Sequence, residues 1–192
     1  MEAQQREVAG NESRNLNVAK ELHGMTVLNA GSGEKLGEVT DALINLTQGP
    51  TQGQMIGIAL RTPEGEMRAL ATRDFFIGVD AVMAAKEARF ETLGQSEALT
   101  GGVPAHELVG ANIVTEDGKL LGRVSEVYIS TEQPQAVYHV AESTLQRFFG
   151  GGFYIAGNVP RAYSPDGVRM IVPDDTENSR AVASLAEVIQ SR

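Results

Sequence analysis

The sequence predicts a mainly β protein: two small antiparallel β-barrels in tandem, followed by a short C-terminal α-helix. Two observations predict this. One segment occurs twice, GMTVLNAGSGEKLGEVTDALI at residues 24–44 and GANIVTEDGKLLGRVSEVYI at 110–129, with offsets of 86 at the first glycine and 85 at Gly37 and Gly122. The copies thus differ by one residue inside a polar turn, where a duplicated fold best tolerates a change. In addition, Gly31-Ser32-Gly33, Pro63-Glu64-Gly65, Asp117-Gly118 and Pro165-Asp166-Gly167 separate apolar runs at matching places in each copy. These residue types supply the backbone angles of tight hairpins.

Residues 1–20 are rich in Glu, Gln, Asn and Arg and lack periodicity, which predicts a flexible polar tail. The first repeat, residues 21–92, then carries strands expected at 26–29, 35–45, 54–61, 67–72 and 81–85. Residues 93–106 form a linker with a Gly/Pro stretch at 101–104. The second repeat, residues 107–174, carries strands expected at 112–115, 120–130, 136–141, 153–156 and 168–172. Alternation places Val39, Asp41 and Leu43 on one face of the long strand and Val124, Glu126 and Tyr128 on its counterpart. Gly37 and Gly122 fall where such a strand bends or meets another backbone. Five short, bent strands without a long helix favour closure, which removes exposed edges. Over residues 175–192 an amphipathic helix is expected: Asp174 and Glu177 suggest a capping box, and Val182, Leu185, Ala186 and Ile189 form a stripe.

Composition narrows the function. Cysteine is absent from the 192 residues, which excludes disulfides, thiolate metal sites and a Cys nucleophile. No apolar run approaches the length of a membrane span, and the polar opening is unlike a signal peptide, so a soluble, cytoplasmic protein is expected. Net charge is −9, spread evenly: residues 22–91 hold six basic and nine acidic side chains, and 108–175 hold five and eight. Neither half offers the basic stripe that direct nucleic-acid binding requires. Units of this size have thin cores, so docking between them or self-association into a homo-oligomer is expected.

The order of Gly24, turn, LGEVTDALI, hairpin and ALATRDFF, repeated as LLGRVSEVYI followed by GFYIAGNVPRAYSPDGVRMIVP, resembles the PRC-barrel family. A photosynthetic reaction-centre subunit and a ribosome maturation factor share that module. The resemblance covers residues 21–91 and 107–174. It implies a small β-barrel used for protein binding or assembly, without catalysis of its own. The chain is therefore expected to bind another protein or itself. Two alternatives are an accessory factor in ribosome or RNA processing acting through a basic ribosomal protein, and a small-ligand or proton-handling barrel.

Among individual residues, Asp41 and Glu126 hold the same place in the two copies. Each is either a half-buried carboxylate with a raised pKa or a rim acid accepting backbone or Arg hydrogen bonds, and the second reading is preferred. His23, His106 and His139 have no metal-ligand spacing and read as ordinary surface or strand histidines, so no metal is expected. Gly31, Gly33 and Gly37 imitate a dinucleotide fingerprint, but no βαβ unit follows; neither a cofactor nor an enzyme is expected. Scarce aromatics gather in QRFFGGGFY, where Phe148, Phe149, Phe153 and Tyr154 are candidate partner-binding residues, the alternative being that they plug a barrel end. Phe75 and Phe76 are expected in the core.

Overall fold

Aliphatic and β-branched runs bounded by glycine turns give fourteen strands among the described residues of the computed structural model, which are 14–92, 96, 98–131, 133–141, 151–185 and 187. In the first half lie β1 (Asn15–Asn17), β2 (Thr26–Asn29), β3 (Lys35–Asn45), β4 (Met55–Arg61), β5 (Met67–Ala71), β6 (Phe75–Ile77) and β7 (Ala81–Ala84). The second half has β8 (Gly102–Pro104), the one-turn helix α1 (Ala105–Leu108), β9 (Asn112–Thr115), β10 (Leu120–Ser130), β11 (Ala136–Ala141), β12 (Phe153–Ala156), β13 (Ala162–Ser164) and β14 (Arg169–Val172).

These strands form two seven-stranded sheets of matching order, β5-β4-β3-β2-β7-β6 with β8 on β3, and β12-β11-β10-β9-β14-β13 with β1 on β10. Two expectations need correction. The ladders do not close into barrels, and each sheet contains a parallel pair, β2 with β7 and β9 with β14. Instead of closing, the sheets have their edges met by irregular chain: Glu91 bridges Ala69 at β5, and Val182 bridges Tyr154 at β12.

Both long strands carry a bulge, between Val39 and Asp41 in β3 and between Val124 and Glu126 in β10. An extra residue reverses the phase of every side chain beyond it. Val39, Ala42 and Ile44 therefore enter the main core, whereas Leu43 joins a separate cluster with Ala59, Ala69, Ala71 and Leu99 on the other face. Val124, Val127 and Ile129 repeat the core-facing set. The expected grouping of Val39 with Asp41 and Leu43, and of Val124 with Glu126 and Tyr128, is thus overturned by the bulges.

The halves exchange their leading segments. β1 precedes the first sheet yet pairs with β10 of the second, Leu16 opposite Ile129. β8 precedes the second sheet yet pairs with β3 of the first, Val103 opposite Ile44. Each strand is followed by one helical turn, a π-type turn at Val18–Leu22 after β1 and α1 after β8. Asn17 caps the first turn by accepting from the Lys20 N–H, while its own N–H donates to Glu21. Leu16, Leu22 and Leu108 are fully buried in one core that draws on both sheets. Residues 15–20 are therefore not tail, and residues 102–106 of the expected linker are strand and helix. Fully buried leucines outweigh the polar composition around them.

At the C-terminus a π-type turn, Thr176–Arg180, leads to Val182 in its bridge to Tyr154, so the start of the expected helix is turn and extended chain. Ala186 and residues 188–192 lie outside the described residues, as do residues 1–13 and 142–150 with Phe148 and Phe149. Among the described residues no helix is long and apolar enough to cross a membrane.

Candidate functional site

The exchanged segments carry a reciprocal pair of acid–base contacts. Each acid sits just beyond its bulge and meets a base on the other half's leading segment. Asp41 of β3 accepts from the Ala42 N–H (2.8 Å), from the His106 N–H (3.2 Å) and from His106 Nδ1. Its side chain is 9% exposed and that of His106 is 73% exposed. In the counterpart, Lys20 donates to Glu126 Oε1 and the Tyr128 hydroxyl donates to Oε2 at 2.5 Å. A cleft of about 190 Å³ opens between the two leading segments, walled by Val18, Ala19, Ala105 and Val127. Thr40, the bulge residue, lines it with a buried Oγ1 that has no hydrogen-bond partner among the described residues.

Past the bulge, the outer face of the second sheet is aromatic and polar. Register sets Glu126 opposite His139 and His139 opposite Tyr154, a row across β10, β11 and β12. The His139 ring lies 4.7 Å from that of Tyr154, and Tyr128 meets Tyr154 edge-on at 6.1 Å. At the equivalent places the first sheet has Asp41, Ala59, Ala69 and Leu43, and there Leu99 packs over the alanines.

Burial and charge set the protonation states of this row. For Glu126 burial is the largest single influence and acts upward, yet the hydrogen bonds from Lys20 and Tyr128, with the Lys20 charge, hold its carboxyl below the ordinary value. That reverses the direction expected for a half-buried carboxylate. Burial, then the bond to Glu126, pushes the Tyr128 phenol up to about 12. His139 is held below its ordinary value by burial, which outweighs the opposing charge of Glu126. A neutral ring results at pH 7. Ser125 Oγ lies 2.5 Å from His139 Nδ1 and 3.2 Å from the His139 carbonyl oxygen, which ties the ring to β10. The row is arranged to present aromatic edges and an ionised carboxylate.

Of the residues singled out from sequence, the structure brings Glu126 and Tyr154 into one row. Asp41 lies instead in the counterpart contact on the other sheet. Phe153 packs against the core from a half-buried position. Phe148 and Phe149 fall outside the described residues. Phe75 packs against the core, whereas Phe76, also expected there, is 61% exposed. Sequence reasoning set Tyr128 on the face of Glu126 but missed Lys20 and His139 as neighbours of that pair. One signal could have found Lys20: the repeat extends upstream of Gly24, with Ala19, Lys20, Glu21 and Leu22 matching Ala105, His106, Glu107 and Leu108 at the same offset of 86.

Comparison with known proteins gives one family. Residues 101–178 match the model of the PRC-barrel domain. Among solved structures, the crystal structure of a 16S ribosomal RNA processing protein RimM from Pseudomonas aeruginosa is similar at 14% identity, covering 85% of this chain and 99% of that one with a TM-score of 0.28. No curated protein matches. Over residues 101–178 the chain is therefore similar to the PRC-barrel domain, the family that the repeated Gly-x-Val-x-acid segment resembles.

Proposed function

We propose that the chain is a non-enzymatic interaction or assembly module of two PRC-barrel-type units, residues 21–92 and 107–174, that binds a protein through the outer face of its second sheet. One observation carries this reading: Tyr128, His139 and Tyr154 stand beside the ionised Glu126 where the first sheet has Leu43, Ala59 and Ala69 beside Asp41. Rigid aromatics beside one fixed charge are the composition that dominates protein interfaces. The −9 net charge favours a basic partner, a basic ribosomal protein included, and predicts an association that weakens with salt.

Affinity purification of the intact chain from its host at low salt tests this, beside Tyr128→Ala/Tyr154→Ala and Phe148→Ala/Phe149→Ala. Residues 142–150 join β11 to β12, which places Phe148 and Phe149 in the same experiment. The expected result is a defined basic protein retained by the wild type and lost from the tyrosine variant. Equal recovery with both variants and the wild type overturns the assignment of the face.

A further inference from the structure

The cleft between the two leading segments is a second site, separate from the outer face of the second sheet. Its lining repeats itself: Ala19 with Ala105, and His23 with Val109, are counterparts at the offset of 86. Val127 of β10 adds to the apolar lining, and β3 supplies Thr40 and Asp41. An engineered cavity of about 150 Å³ accepts a benzene ring. At about 190 Å³, this cleft admits a ring-sized molecule or a short aliphatic chain.

The repetition breaks at the charge. Glu126 is met by Lys20, a permanent cation. At the matching place Asp41 is met by His106, which carries a charge only when protonated. Among the described residues no lysine or arginine pairs with Asp41. Yet Asp41 is the more buried acid, its side chain 9% exposed against 28% for Glu126. A carboxylate withdrawn from water loses solvation that a cation beside it offsets. Oδ1 of Asp41 accepts from the Ala42 N–H, and Oδ2 accepts from the His106 N–H and Nδ1. A carboxylate has about four lone-pair positions, so Oδ1 retains one. The Thr40 hydroxyl next to it in sequence, buried and without a partner among the described residues, is a further acceptor.

We infer that the cleft binds a small organic ammonium ion, anchored on Asp41 with Thr40 Oγ1 as a second acceptor and its hydrocarbon body against Ala19, Ala105, Val109 and Val127. The molecule already contains this chemistry, since Lys20 sets a primary ammonium on an aliphatic stem against Glu126. The ligand does at Asp41 what Lys20 does at the counterpart. An anion of the same shape would be repelled by Asp41, and a neutral molecule would leave its charge uncompensated. The net charge of −9 also favours the approach of a cation.

Methyl-resolved NMR of the intact chain, titrated with cyclohexylammonium, tests the inference. Cyclohexanol and cyclohexanecarboxylate serve as neutral and anionic probes with the same body. The ammonium is expected to give saturable shifts of the Ala19, Ala105, Val109 and Val127 methyls, and the other two probes to bind at least about tenfold more weakly. Asp41→Asn should weaken the ammonium about tenfold and Thr40→Val about threefold. Ala19→Leu, at an exposed position, fills the cleft from outside the core and should abolish binding. The comparison of probes needs no variant, so it stands if Asp41→Asn fails to fold. Shifts that do not saturate, equal affinity for all three probes, or full affinity in Asp41→Asn and Ala19→Leu each overturn the inference. Tighter binding of acetyl-lysine amide than of cyclohexylammonium would overturn a free ligand and assign the cleft to a partner's lysine side chain.

Discussion

At the residue scale, close packing and proton affinity make separate demands. Gly122 lies where β10 crosses β11, and a Cβ there would stand 2.6 Å from the Ala141 carbonyl oxygen with φ at +159°. Gly122→Ala must push two paired strands apart and is expected to cost about 1–3 kcal/mol, read as a lower urea midpoint with an unchanged slope. His139 makes a demand on pH. Its proton affinity is lower in the folded chain than in the unfolded one, where its value is 6.5. As pH falls below 6.5 the unfolded chain takes up the proton first, so stability is complete above 6.5 and is lost downward until the folded value is passed. Thermal midpoints should fall through this window, and His139→Gln should flatten the fall. Glu126, lowered from 4.5, contributes a separate loss at more acid pH. These roles were only partly legible. The glycine announced itself by recurring at the same place in a strand, but the neutral state of His139 depends on neighbours from three strands and a distant turn, which no local pattern encodes.

At the scale of elements, the exchanged segments hold the two sheets to each other. Leu16 is fully buried between halves that are remote in sequence. Leu16→Ala is expected to cost about 2–5 kcal/mol, as much as a deletion in the centre of either sheet, measured by chemical denaturation. A loose polar tail would show no such effect. The strands β2, β3, β9, β10, β11 and β12 were readable nearly to the residue, because alternation and turn chemistry act locally. β1 and β8 were not, since three residues with one or two apolar side chains become strands only when a far partner supplies the ladder. The bulges were hidden for another reason: inserting a residue leaves composition and alternation intact on paper while reversing the face in space. The same inversion moved Asp41 and Glu126 out of the core-facing row and into contact with the leading segments.

At the scale of the whole molecule, the matching region and the folding unit differ. Residues 101–178 match the PRC-barrel domain, yet expressed alone they would lack β1, leave β8 without β3, and leave Glu126 without Lys20. That fragment is expected to be unfolded or self-associated, whereas the intact chain should melt in one calorimetric transition whose van't Hoff and calorimetric enthalpies agree. Separate transitions for the halves would contradict the shared core.

The reciprocity of β1 and β8 also governs how the chain folds. Each half can receive its leading segment from its own chain or from a neighbouring chain, with every hydrogen bond preserved. Only the tether between halves, acting as a high local concentration, selects the first route. Refolding from denaturant at rising protein concentration should therefore trap a growing share of interlocked dimers. These should separate on a sizing column and revert only as fast as the molecule unfolds.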